Sequence, residues 1–145
     1  MSRSTPLTQL SIIMPTYNQT NYIGESIKSI QNQTCTNWEL IIVDDGSDDD
    51  TEKIIRQIND DRIVFIKAGR IGIGGKIKNI GLEKASGELI AFIDSDDLWS
   101  STKIEKQINA LEQFPEAGFC LTGGYNFKLN KEPLDFFYKK KEGLK

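Results

Sequence analysis

Histidine is absent from this 145-residue chain, and cysteine occurs only twice, at Cys35 and Cys120. The first absence removes Ser-His-Asp and Cys-His nucleophilic sites as well as histidine-ligated zinc. The two cysteines are far apart and form no CxxC pattern, so they read as ordinary thiols of a reducing compartment. Any metal must therefore be held by oxygen. A basic excess is missing too. Lys and Arg number 18 against 21 Asp and Glu, a net charge of −3, which argues against nucleic acid as a partner. No apolar run approaches the roughly 20 residues that span a bilayer, and Leu10–Met14 is too short for a secretory core. The expectation is a soluble, cytoplasmic chain of one-domain length, with enough aliphatic side chains to build a core.

What is present is an alternation of short aliphatic runs with segments of helical period. The runs Leu10–Met14, Glu39–Asp44, Ile63–Lys67, Leu89–Asp94 and Gly118–Thr122 predict five strands. Most are near-continuous rather than alternating, as parallel strands covered on both faces require. Ile23, Ile27 and Ile30 mark a first helix, with Asn21 placed to cap it. A second opens at Asp49, with Glu52 in the position of a capping box. A third spans about Lys76 to Ala85 despite Gly81, and a fourth runs from about Ser101 and stops before Pro115. The order βαβαβαβαβ predicts an α/β fold: an open, mostly parallel, Rossmann-like sheet with helices on both faces.

Ligands of such sheets bind beyond the carboxyl ends of the strands. Those ends carry Pro15-Thr16-Tyr17-Asn18, then Asp44-Asp45-Gly46-Ser47, then a glycine-rich loop, then Asp94-Ser95-Asp96-Asp97. Carboxylates gathered on one edge raise each other's pKa values unless a cation sits between them. Asp94-x-Asp96 suits Mg²⁺ or Mn²⁺, which take one or two carboxylates and complete their shells with water and diphosphate oxygens. Plainer readings stand beside this one. Asp44 and Asp45 also suit a simple turn, and Asp48, Asp49 and Asp50 a solvated helix start. The loop Gly69–Lys76 fits neither nucleotide-binding glycine motif. Arg70 stands where a Walker A motif needs glycine, Ile77 where it needs Ser or Thr, and Gly72-x-Gly74 lacks the third glycine of a dinucleotide fingerprint. What survives is a flexible loop from which Arg70, Lys76 or Lys78 can reach a phosphate, or stay solvated.

Four motifs occur in order: Ile12-Ile13-Met14-Pro15-Thr16-Tyr17-Asn18, Ile42-Val43-Asp44-Asp45-Gly46-Ser47, Asn79-Ile80-Gly81, and Ala85 through Asp97. Together they resemble the inverting family 2 nucleotide-sugar glycosyltransferases of the GT-A fold, over residues 10 to about 122. The resemblance implies a nucleotide-sugar-binding domain over residues 10–127, after an extension at 1–9 and before a basic tail at 128–145. It implies a nucleotide site of Pro15, Thr16, Tyr17, Asn18, Asp44, Asp45, Lys78, Asp94 and Ser95. Within it, Pro15–Asn18 line the base and ribose pocket, and Asp45 accepts the ring N3–H of uracil. It further implies Mn²⁺ or Mg²⁺ on Asp96, with Asp94 meeting ribose or metal and Asp97 as the alternative ligand.

Transfer of the sugar, with inversion, to a glycan, lipid-linked or protein acceptor hydroxyl is implied by the same resemblance. Two departures accompany it. Lys78 stands where relatives carry Arg, which weakens a bidentate phosphate grip. The acids after Pro115 are Glu116, Glu132, Asp135 and Glu142, and none forms the Glu-Asp pair that supplies the catalytic base. The expectation is a donor-binding half, from a truncated or degenerate transferase. The alternatives are a non-catalytic nucleotide-sugar-binding module and a phosphohydrolase of the haloacid dehalogenase type. Against the latter, Leu98 breaks the acid motif, and that motif belongs after the first strand. Lys139-Lys140-Lys141 reads as a solvated tail, or as a peripheral contact to anionic lipid at the inner face of a membrane.

Overall fold

The computed structural model describes residues 10–127 and the backbone of 133–136. By internal contacts the chain divides into two compact units, Met1–Lys103 and Ile104–Lys145. The extension at 1–9, the tail lysines, Glu132 and Glu142 lie outside the described residues.

The first unit is a parallel sheet in the order β3-β2-β1-β4, from β1 (Leu10–Thr16), β2 (Trp38–Asp44), β3 (Ile63–Lys67) and β4 (Leu89–Phe92). Two helices, α1 (Ile23–Gln31) and α2 (Thr51–Arg56), carry the chain from β1 to β2 and from β2 to β3. Both steps move the same way along the sheet, so right-handed crossovers put both helices on one face. They pack on each other there, and Arg56 lies over the Phe65 ring of β3 at 5.4 Å. The return from β3 to β4 runs the other way and puts α3 (Gly74–Lys84) on the opposite face, against β1 and β2.

The core follows from the register. Ile13 pairs with Ile41 and Pro15 with Val43 on the α3 face, while Ile12 pairs with Leu40 and Met14 with Ile42 on the other. All but the partly buried Pro15 are fully buried. Continuous burial is thus a property of the two central strands only. The edge strands are only partly buried, leaving Val64, Ile90 and Phe92 exposed. Gly81 makes the α3 contact possible: a Cβ there would lie 2.6 Å from Cγ2 of the buried Ile13.

Three expectations are corrected. Asn21 does not cap α1; the cap position is Tyr22, with no side-chain bond. The chain enters the helix through a turn in which Tyr22 and Ile23 N–H both donate to Gln19 O, so the first turn is closed without Asn21. Glu52 does not reach back to form a capping box, because Arg56 and Lys67 hold its carboxylate at 2.8 and 2.6 Å. Asp49 instead accepts the Thr51 N–H at 3.0 Å. Gly118–Thr122 is not a strand. The run is short, bounded by Gly118 and Gly123-Gly124, and highly exposed at Phe119 and Leu121, with no strand partner among the described residues. The second unit holds instead α4, which begins at the boundary (Lys103–Gln113), and an antiparallel pair, β5 (Tyr125–Phe127) with β6 (Pro133–Phe136).

Candidate functional site

Strand order reverses at β1, whose neighbours are β2 on one side and β4 on the other. A crevice opens at the carboxyl ends of strands that flank such a reversal. A cleft of about 280 Å³ lies there, lined by Pro15, Thr16, Tyr17, Gln19, Asp45, Gly74, Ile77, Asp94, Ser95 and Asp96.

Its first wall comes from β1. Pro15 continues the strand, Thr16 accepts the Asp45 N–H through its carbonyl at 2.9 Å, and Tyr17 stands half-exposed at the rim. The buried Oγ1 of Thr16 has no hydrogen-bond partner among the described residues. Asn18 does not line the cleft. It adopts φ 51° and trades hydrogen bonds with Asp48, donating to Oδ1 at 2.7 Å and accepting the Asp48 N–H at 3.0 Å. This ties the loop after β1 to the loop after β2.

The two acids that end β2 have different tasks. Asp44 is fully buried and holds the turn, accepting from Ser47 N–H at 3.1 Å and Ser47 Oγ at 2.5 Å. The turn reading therefore describes Asp44. Asp45 instead faces the glycine-rich loop and accepts from Ile71 N–H at 2.5 Å, Gly72 N–H at 3.0 Å and the Arg70 guanidinium. Burial pushes its pKa up, but the bonds from Ile71, Gly72 and Arg70 outweigh burial and hold it below the usual carboxylate value. Gly46, at φ 79°, lets the loop come this close: a Cβ would meet the Arg70 nitrogen at 2.8 Å. Its ion pair with Asp45 draws Arg70 to the first wall of the cleft. Its Cζ lies 3.9 Å from the centre of the Tyr17 ring.

The opposite wall is the acidic turn after β4, closed by Asp97 N–H donating to Asp94 O at 3.0 Å. Ser95 is buried, whereas Asp94 and Asp96 are set on the cleft. Asp97 is exposed as a residue, yet loss of water around its carboxyl, followed by the charges of Asp96 and Asp94, raises its pKa. Lys78 approaches this turn from α3, with Nζ 3.8 Å from Asp94 Oδ1 and 5.7 Å from the centre of the Phe92 ring. Lys76 is exposed on the first turn of the same helix.

Among the described residues no three metal-ligating side chains converge as a ready-made cage. The donor set is two or three adjacent carboxylates on an open cleft. Such a set fits Mg²⁺ or Mn²⁺ shared with a diphosphate, since those ions keep substrate oxygens in their shells. Seven of the nucleotide and metal candidates thus meet at one cleft: Pro15, Thr16, Tyr17, Asp45, Asp94, Ser95 and Asp96. Gln19, Gly74 and Ile77 join them without having been expected from the sequence. Ile77 carried a signal, as the first apolar residue of the helix after the glycine-rich loop, but Gln19 carried none.

The family model described as glycosyl transferase family 2 matches residues 11–135. The putative teichuronic acid biosynthesis glycosyltransferase TuaG of Bacillus subtilis is 36% identical over 137 residues, covering 93% of this chain and 54% of TuaG. The Escherichia coli UDP-Glc:alpha-D-GlcNAc-diphosphoundecaprenol beta-1,3-glucosyltransferase WfgD is 41% identical over 102 residues, covering 70% of this chain and 40% of WfgD. Among solved structures, S. aureus TarS 1–349 in complex with UDP-GlcNAc superposes with a TM-score of 0.68 at 30% identity, covering 72% of this chain and 31% of that one. The chain spans about half the length of the first of these relatives and less of the others.

Proposed function

The chain belongs to glycosyl transferase family 2, and from that premise we propose that its cleft binds the UDP moiety of a UDP-sugar together with a divalent metal, for transfer of the sugar to an acceptor hydroxyl. The observation that carries this reading is the pairing of the two walls across one cleft. One wall is an aromatic ring beside a buried, ionised acceptor, Tyr17 and Asp45. The other is the acidic turn Asp94–Asp97. A pyrimidine stacked on Tyr17 presents its N3–H to Asp45, a donor that must find an acceptor once desolvated. Arg70 lies on that ring and on that carboxylate, and the base takes over what Arg70 releases.

The ribose and diphosphate then extend from β1 toward β4, past the unpartnered Thr16 hydroxyl, to Asp94, Ser95 and Asp96. Asp96 is the metal ligand; Asp94 meets ribose or metal, and Asp97 is the alternative ligand. A bound Mg²⁺ or Mn²⁺ supplies charge neutralisation for the departing diphosphate. Lys78, held near Asp94, adds a single positive charge beside the same group. In the transfer itself the acceptor oxygen bonds to the anomeric carbon as the bond to the diphosphate oxygen breaks. The acceptor's proton passes to a base, and attack from the face opposite the leaving group inverts the centre. No described residue is assigned as that base.

UDP-sugar is the favoured donor because TarS is solved with UDP-GlcNAc and WfgD is named for UDP-Glc. WfgD's named acceptor is lipid-linked, and we extend that acceptor class to this protein, acting at a membrane surface. Among the described residues no helix is long and apolar enough to cross a membrane. A haloacid-dehalogenase-type reaction has no support, since the acids follow β4 and the family match covers the motif. The test is calorimetric titration of UDP, GDP, CDP and ADP in Mn²⁺. UDP should bind at least about 10-fold tighter than CDP, whose N3 carries no hydrogen, the equivalent of one buried hydrogen bond. Equal affinity across the four would remove the base assignment.

A further inference from the structure

Backbone hydrogen bonds anchor the acidic turn at its upstream side and across its own loop. On its upstream side Ile93 N–H donates to Ile13 O at 3.1 Å, and the turn closes on itself through Asp97 N–H to Asp94 O. Beyond Asp97 the chain is irregular, and α1 with the two residues past its end cap grips it at three consecutive positions. Trp99 N–H donates to Ser29 Oγ at 3.1 Å. Gln33, only 4% exposed, donates its side-chain amide to Ser100 O at 2.7 Å and to Ser29 O at 3.1 Å. Thr34 N–H donates to Ser101 O at 2.8 Å. The Ser29 hydroxyl donates its hydrogen bond to Ser26 O at 2.7 Å, which leaves its lone pairs to accept from Trp99.

Trp99 is only two residues beyond Asp97. Fixing its backbone therefore restricts the positions open to Asp97 and Asp96. Ser29 and Gln33 themselves do not line the cleft. Groups that hold metal-ligating carboxylates in place without touching the metal are commonly worth about 10–100-fold in metal affinity.

We propose that Ser29 and Gln33 are positioning residues, which clamp Trp99 and Ser100 so that the acidic turn presents its carboxylates to the metal and diphosphate. The proposal rests on the donor-site reading above. It predicts a defect of one kind: metal-dependent binding falls, while the base end of the cleft, built from Tyr17 and Asp45, is untouched.

Ser29→Ala and Gln33→Leu test it, with Ser29→Thr as the conservative variant that keeps a hydroxyl. Each is titrated with uridine, with UDP in chelator, and with UDP in Mn²⁺. Ser29→Ala sits at a half-buried helical position where alanine favours the helix, so it keeps the fold even if Gln33→Leu does not. The expected result is that the Mn²⁺-dependent gain in UDP affinity falls about 3-fold in Ser29→Ala and returns in Ser29→Thr, with uridine binding unchanged within about 2-fold. Full retention of the gain in both Ser29→Ala and Gln33→Leu overturns the proposal. So does an equal loss for uridine and UDP, which would mark a merely structural role. A parent chain with no Mn²⁺-dependent gain overturns the donor-site reading and this proposal with it.

Discussion

The guanidinium of Arg70 is stacked on the ring of Tyr17, with Cζ 3.9 Å from its centre, while it ion-pairs with Asp45. A flat cation on an aromatic face, donating to a buried carboxylate, has the outline and polarity of a nucleobase edge. Arg70 thereby helps keep Asp45 ionised and hydrogen-bonded.

Displacing Arg70 has a cost. Its stacking and half-exposed ion pair are together worth about 1 kcal/mol, since each is partly solvated. Arg70→Ala should therefore bind uridine about 3–5-fold more tightly in a fluorescence or calorimetric titration. Weaker binding would show that Arg70 contacts the base rather than holding its place.

Asp45→Ala is expected to weaken uridine nucleotides by about 1–3 kcal/mol, the effect of leaving a desolvated donor unpaired. The gain from Mn²⁺ should survive in that variant, because Asp45 lies at the base end of the cleft. A variant that binds UDP as well as the parent would contradict the assignment.

Stability should fall in acid. Burial works to raise the pKa of Asp49, but Thr20 and Thr51 hydrogen bonds prevail and hold it down at about 2, against 3.8 unperturbed. Asp60, ion-paired with Arg62, and Glu39, bonded to Ser11 and Ser86, are lowered as well. A group with a depressed folded pKa adds stability that is complete above its unfolded value and is lost as pH falls through the folded one. The thermal midpoint should hold steady down to about pH 5 and then drop steeply toward about pH 2. Asp49→Asn should flatten that drop; an unchanged slope would remove Asp49 from the account.

Gly81→Ala sets two effects against each other. Helix propensity favours alanine by about 1 kcal/mol, while overpacking of a tight core costs about 1–3 kcal/mol. The new methyl would sit 2.6 Å from a stiff, fully buried isoleucine, so the clash prevails. Urea unfolding should show a net loss of about 1–2 kcal/mol. A stabilised variant would mean that α3 moves off the sheet without penalty.

The four parallel strands and the acids at their ends were legible because each is a contiguous signal. Ile41–Val43 runs straight into Asp44-Asp45, and Leu89–Ile93 straight into Asp94. What was hidden depends on partners distant in sequence. Nothing local marks Asp44 for the turn and Asp45 for a loop 25 residues away. The charge of Arg70 was visible in the sequence, but its neighbours Asp45 and Tyr17 were not. Asn21 has the right chemistry for a cap, but the backbone closed the first turn through Gln19 instead. Gly118–Thr122 shows that an apolar run needs a strand edge to pair with, and periodicity carries no information about edges. The grip of Ser29 and Gln33 on Trp99 and Ser100 links positions 70 and 67 residues apart and has no sequence signature.

The central claim is that the two walls of one cleft bind base and diphosphate together, the second through a metal. Titration of UDP into the chain with Mn²⁺ present, and again with the metal chelated, addresses it most directly. Exposed carboxylates at Asp94 and Asp96 repel a diphosphate unless a cation lies between them. UDP should therefore bind at least about 10-fold more tightly with Mn²⁺, and Asp96→Asn should erase most of that gain. Equal affinity with and without the metal would contradict the account.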